Sequence, residues 1–275
     1  MKRSRMSTIA SIGSIDPTGA AGLTMDLRVF ARMGAAGVGI VTGVTAQNAS
    51  RVLSVRPLEP AMVTQQLRAV WEQVRPDAIC IGLVPGVGAI AAVERFLRQL
   101  DRRPPIVIDP VVAATSGVRL LGKHELRALR ALLRLATVVT PNLSEAAALT
   151  GLAVATPAQA QHAARVLCRE CNAVLVTGGH GRGTACVDVL ATRLAMRAPR
   201  GTSARSQTRL DVRCYSGGRL RGTMRGAGGI LAAAIAVELG RAAPLDTAVR
   251  GARRFVRHAW PQAQALGSGR PQYLG

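Results

Sequence analysis

The chain has 275 residues, 48% of them hydrophobic but only 3% aromatic, with 36 basic against 15 acidic residues and a net charge of +21. This excludes a disordered chain and suits one large α/β domain or two small ones, with a core of Ala, Val, Leu and Ile. The charge is nearly all arginine, since Lys2 and Lys123 are the only lysines, and it is spread along the chain with few aromatics for base stacking, which argues against a nucleic-acid binder and for a phosphate-bearing substrate.

Short β-branched runs alternate with helical patterns. Residues 8–12 read as a first strand, 13–22 as a glycine-rich turn, and Leu23, Leu27, Phe30 and Ala31 recur at helical spacing. Strands are then predicted at 38–44, 78–83, 106–109, 137–140, 173–177 and 184–190. Helices are predicted at 62–74, 89–100, 124–135, 144–150, 157–170, 226–239 and 245–260. Residues 192–222 break the alternation. There Arg193, Arg197, Arg200, Arg205, Arg209 and Arg213 alternate with small and polar residues, as a loop, a pair of edge strands or a partly disordered insertion would. The segment is taken as an irregular Arg-rich insertion in a single domain spanning 1–275. Alternating strands and helices imply a mostly parallel sheet covered on both faces, with ligands beyond the carboxyl ends of its strands.

The five cysteines do not form a disulfide framework, and Cys168 and Cys171 lack a second ligand pair with metal spacing. The basic start lacks a signal-peptide core, and no 18-residue apolar run suggests a membrane span. A cytoplasmic protein is expected.

Three motifs carry chemistry. Gly226-Ala227-Gly228-Gly229 opens an apolar helix, where converging N–H groups and the helix dipole bind an anion, or where glycines simply make a tight turn. Ser14 to Gly22 is a second glycine-rich strand-to-helix loop, with no Gly-Lys-Ser/Thr to make it a Walker A loop; Asp16 would cap it. In Thr140-Pro141-Asn142-Leu143-Ser144-Glu145, Asn142 or Ser144 could cap a helix and Glu145 suits its first turn, or Glu145 holds Mg²⁺ through water near nucleotide phosphates.

Taken in order, the stretches IGSIDPTGAAGLTMDLRVFARMGAAG, VTGVTAQNA, IVIDPVVAATSGVRLL, VVTPNLSEAAALTG, VLVTGGH and GAGGILAAAIA resemble the hydroxymethylpyrimidine/phosphomethylpyrimidine kinases of thiamine synthesis, within the ribokinase-like superfamily. The resemblance covers residues 8–240. It implies a three-layer α/β/α sandwich and ATP-dependent phosphorylation of hydroxymethylpyrimidine, its monophosphate or both, with ATP and Mg²⁺ as cofactors and a homodimer as the assembly. It implies that Gln47 hydrogen-bonds the aminopyrimidine, a task suited to an amide that donates and accepts at once. Asp16, Ala21, Asp26 and Leu83 fall in the substrate pocket. Asp109 and Glu145 fall where Mg²⁺ is organised, Asn142, Gly179 and Arg225 on the nucleotide and phosphate side, and Gly226, Ala227, Gly228 and Gly229 on the anion hole.

The departures are specific. The family has Cys, and wider relatives Asp, where this chain has Gly229. Cys80, Thr115 and Thr177 stand where lysine is common, with Arg225 and Arg119 as possible substitutes. Phosphoryl transfer runs mainly on positioning and charge stabilisation, and a base contributes roughly 10²–10⁴-fold. The expectation is therefore a slowed kinase that keeps its backbone cradle. The alternatives are a catalytically silent pyrimidine binder with a regulatory role, and a kinase for another small alcohol such as a pyridoxal-type ring or a sugar.

Overall fold

The computed structural model describes residues 5–48, 51–114, 117–179, 181, 184–194, 209–265 and 272. In chain order the first half contains β1 (Thr8–Ile15), α1 (Gly22–Arg32), β2 (Ala36–Gln47), β3 (Val52–Pro57), α2 (Pro60–Gln73), β4 (Ala78–Ile81), α3 (Val87–Arg98), β5 (Ile106–Ile108) and α4 (Lys123–Leu133). There follow β6 (Val138–Val139), α5 (Leu143–Thr150), α6 (Pro157–Leu167), β7 (Ala173–Val176), β8 (Ala185–Leu194), β9 (Arg209–Gly218), α7 (Ala227–Gly240) and α8 (Leu245–Ala259). The chain divides into two compact units, Met1–Leu135 with Leu220–Gly275, and Ala136–Arg219.

In the first unit the strand order is β3-β2-β1-β4-β5. β1 is parallel to β2 and β4, β4 is parallel to β5, and only β3 is antiparallel. Six consecutive residues of β1 are buried, the mark of a strand covered on both faces. Helix α7 explains its own sequence. From Ile230 to Val237 every residue is fully buried or nearly so, and the helix contacts α1, α8, β1, β4 and β5. A helix with apolar neighbours on all sides needs no polar stripe, hence the Ala-rich run.

In the second unit the order is β6-β7-β8-β9, with β6 parallel to β7 and the last two strands antiparallel. Of the segment taken as an irregular insertion, 192–194 and 209–218 instead lie in β8 and β9, which pair from Ala185↔Gly218 to Leu194↔Arg209, as its alternative reading as paired strands has it. Arg209 and Arg213 share one face of this ribbon with Leu194 and Leu190, and Arg193 lies on the other face with Leu210, so the arginines mark no single face. Residues 195–208 lie outside the described residues. Strand β3 is a second correction. It pairs antiparallel with β2 from Gly43↔Pro57 to Gln47↔Val52, and it is short and mostly exposed, so its few apolar residues bury no continuous face. Among the described residues, no helix is long and apolar enough to cross a membrane.

Phe30, wholly buried on α1, and Leu53, exposed on β3, test this division of core and edge. Phe30→Ala is expected to cost about 3–5 kcal/mol in urea denaturation and Leu53→Ala less than about 0.5 kcal/mol.

Candidate active site

The first unit builds its site where β1 ends. Asp16, 2% exposed, holds the following loop by accepting from the N–H (2.9 Å) and hydroxyl (2.8 Å) of Thr18 through Oδ1. Its Oδ2 has no hydrogen-bond partner among the described residues. Arg225 Nη2 lies 3.3 Å from that oxygen, and Arg225 Nη1 donates to Thr18 Oγ1 at 3.4 Å. Both side chains of this ion pair are nearly buried, so separating them would strand a charge. The pair therefore fastens the β1–α1 loop to the segment entering α7. Nearby, Ser14 and Thr42 both donate to the Leu83 carbonyl, and Thr45 donates to that of Ile15, tying the ends of β1, β2 and β4 together.

Gly226 is the N-cap of α7, in the left-handed conformation with φ +78°. A Cβ there would stand 2.1 Å from the Ala20 carbonyl oxygen, so no other residue fits without moving the loop. The helix then begins with Ala227, Gly228 and Gly229. Gly228 is exposed and its two neighbours are half-buried, although Ile230 to Val237 are buried. The first-turn amides, which have no intrahelical acceptor, thus face an accessible space at the positive end of the dipole.

Beside that turn lies a carboxylate. Asp109 Oδ2 is 3.9 Å from where a Cβ on Gly229 would stand and 4.0 Å from the same point on Gly228. Those are ordinary contact distances, so a Cβ at 229 would fit. Burial pushes the Asp109 carboxyl up to about 7. Asp26, 5% exposed on α1, is also pushed up to about 7, first by burial and further by the charge of Asp109; the hydrogen bond from Ser11 Oγ at 2.6 Å works the other way. Cys80, at one of the positions that lack lysine, is buried, and burial followed by the charges of Asp26 and Asp109 raises its thiol well above the usual range.

The second unit gathers the remaining predicted residues. Asn142 caps α5, accepting from Glu145 N at 3.0 Å, while Glu145 Oε2 accepts from Asn142 N at 2.9 Å. The capping reading thus holds with Asn142, not Ser144, as the cap. Asn142 bridges Thr177 in parallel register, which brings the α5 start beside the loop after β7, where Gly179 is exposed.

Asp16, Arg225 and Gly226 are thus brought together, as are Asp109, Gly228 and Gly229, and separately Asn142, Glu145 and Thr177. Ala21 is the N-cap of α1. Gln47 ends β2, half-buried, and its side-chain amide makes no hydrogen bond among the described residues. Arg225 is engaged with Asp16, and Arg119 is exposed and donates to the Leu121 carbonyl. Thr115 and His180 lie outside the described residues. Ser11, Thr18 and Thr42 were missed; Ser11 could have been found as a polar residue inside an otherwise apolar strand. Cys168 is a free thiol donating to the Ala191 carbonyl, and burial pushes it up to about 11.

A model of the phosphomethylpyrimidine kinase family matches residues 16–273. The chain is similar to a hydroxymethylpyrimidine/phosphomethylpyrimidine kinase of Rhizobium meliloti, 37% identical over 96% of each chain. Its fold is similar to the crystal structure of phosphomethylpyrimidine kinase from Clostridium difficile 630, with a TM-score of 0.75 and 26% identity over 93% of this chain and 100% of that one. It is also similar to an ADP complex of Bacillus subtilis pyridoxal kinase, with a TM-score of 0.81 and 25% identity over 98% of each.

Asp26 sets a pH dependence of stability. Its folded value of about 7 lies above that of an unfolded Asp, so its stabilising effect is complete below about pH 4 and is lost as the pH rises to 7. Asp26→Asn is expected to flatten the fall in stability between pH 5 and pH 8 and to raise stability at pH 8 by about 1–3 kcal/mol. Urea melts at the two pH values measure both effects.

Proposed function

The chain belongs to the phosphomethylpyrimidine kinase family and is a phosphotransferase; from that premise we propose that it transfers the γ-phosphoryl group of ATP to hydroxymethylpyrimidine, to its monophosphate, or to both in turn, as a step of thiamine biosynthesis. The observation that carries this reading is the glycine-opened start of α7. Gly226 turns the chain, Arg225 and Asp16 hold it, and the amides of the first turn face an accessible space. Backbone N–H groups aimed at developing negative charge are the principal requirement of a loose phosphoryl-transfer transition state.

In this reading Gln47 pairs with the aminopyrimidine edge, and Asp16, Ala21, Asp26 and Leu83 shape the pocket around it. Asn142, Gly179 and Arg225 serve the nucleotide and its phosphates, and Gly226 to Gly229 receive the transferred group. Asp109 and Glu145 offer hard carboxylate oxygens, the donors that suit a Mg²⁺ ion held through one or two carboxylates and nucleotide phosphates. Bound there, Mg²⁺ would neutralise charge on the phosphates. Residues 1–275 act as one kinase domain, in the cytoplasm where ATP is available. Exposed Val44 and Leu53 on the antiparallel β2–β3 pair support a homodimer.

Gly229 withholds a side chain without withholding its amide, so the reaction is slowed and not lost. A silent pyrimidine binder is the weaker reading, because a relative matched along 96% of the chain is named as a kinase. That relative is closer in sequence than the pyridoxal kinase, which supports the pyrimidine over a pyridoxal ring.

Purified protein with ATP, Mg²⁺ and hydroxymethylpyrimidine is expected to form phosphorylated product, followed by chromatography. Gln47→Ala should raise KM for the pyrimidine roughly tenfold. Gly229→Cys should raise kcat by roughly 10–100-fold. Product no faster in the wild type than in Gln47→Ala would sink the reading.

A further inference from the structure

A guanidinium stands beside the glycine loop of the second unit. Gly178 follows β7, and its N–H donates to Asp188 Oδ1 at 2.8 Å; Asp188 is 6% exposed on β8. A Cβ on Gly178 would come within 2.1 Å of the Val187 carbonyl, so the backbone is pressed against the strand. Arg219, immediately after β9, reaches across the other side of this loop. Its Nη1 donates to the Gly179 carbonyl at 2.6 Å, and its Nη2 donates to the carbonyls of Ala185 at 3.2 Å and Gly178 at 3.5 Å. The Gly178 carbonyl also accepts from Gly181 N at 3.0 Å, and Arg219 N donates to Thr184 O at 2.8 Å.

A trans peptide points its C=O and N–H in opposite directions. With the Gly178 carbonyl held on the Arg219 side, the N–H of Gly179 is turned the other way. Gly179 is exposed, and among the described residues a Cβ on it would meet nothing within 4 Å and no group accepts from its N–H. A directed, exposed amide without an acceptor among the described residues and with a permanent positive charge behind it suits a phosphate oxygen.

We propose that Arg219 is a positioning residue for nucleotide binding: its planar fork fixes the Gly178–Gly179 peptide so that the Gly179 amide faces a phosphate of the nucleoside triphosphate, and its charge stands in a region where Thr177 brings none. This rests on the reading of Gly179 as a nucleotide-side residue. Lysine could keep the charge but not the fork, because one ammonium lacks the fixed geometry that spans three carbonyls.

The test measures two dissociation constants on each protein, for the non-hydrolysable analogue AMP-PCP with Mg²⁺ and for hydroxymethylpyrimidine, by calorimetry. Arg219→Ala is expected to weaken AMP-PCP roughly tenfold or more and Arg219→Lys several-fold, with pyrimidine affinity unchanged. In steady state KM for ATP should rise while kcat stays within about twofold, a split that a general loss of structure would not give. AMP-PCP affinity within about twofold of wild type in Arg219→Ala overturns the inference. If Arg219→Ala loses the pyrimidine as well, Arg219→Lys decides by the same two constants. Failure of the wild type itself to bind AMP-PCP overturns the nucleotide reading, and this inference with it.

Discussion

The left-handed turn at Gly226 is the constraint on which the site depends. It lies against the carbonyl of Ala20 so closely that a methyl group has no room, and it starts α7 in the direction that exposes its first amides. The turn is backed by a buried ion pair, Asp16 with Arg225, whose separation would leave a charge without a partner. It is also backed by the depth of α7, which is buried against α1, α8 and three strands and cannot tilt without opening the core. The core of the first unit thus fixes the axis of the helix, and the glycine fixes where its positive end meets solvent.

Against this positive end the chain sets two acids, Asp26 buried and Asp109 half-buried. Asp26 and Asp109 are both held at about 7, and Cys80 is kept protonated beside them. Two ionised carboxylates here would repel phosphate and each other; a shared reluctance to ionise limits both penalties. Asp109 also faces the space that a side chain on residue 229 would occupy. The missing residue therefore leaves a contact-sized gap lined by a carboxylate, and not a collapsed pocket.

Much of the site was legible because backbone chemistry demands particular residues. Only glycine suits the turn at 226, and the Asn142–Glu145 spacing is a helix cap whatever else it does. Strands buried on both faces announced themselves as apolar runs. Strand β3 did not, because it is a short, mostly exposed edge with a register shift against β2, and the arginine-rich ribbon did not, because its arginines fall on both of its faces. Contacts distant in sequence were out of reach. Nothing in the spacing shows that Asp109 lies beside Gly229, or that Arg219 folds back 40 residues onto Gly179. Those meetings are made by the sheet, not by the neighbourhood in sequence.

The central claim is that a backbone cradle, set by Gly226 and needing no side chain at 229, performs the transfer. The most direct measurement is single-turnover phosphorylation by Gly226→Ala, beside its affinity for hydroxymethylpyrimidine. The account predicts a rate lower by roughly 100-fold or more, as when an anion-hole donor is displaced, a loss much larger than the weakening of pyrimidine binding. A rate equal to that of the wild type would contradict it.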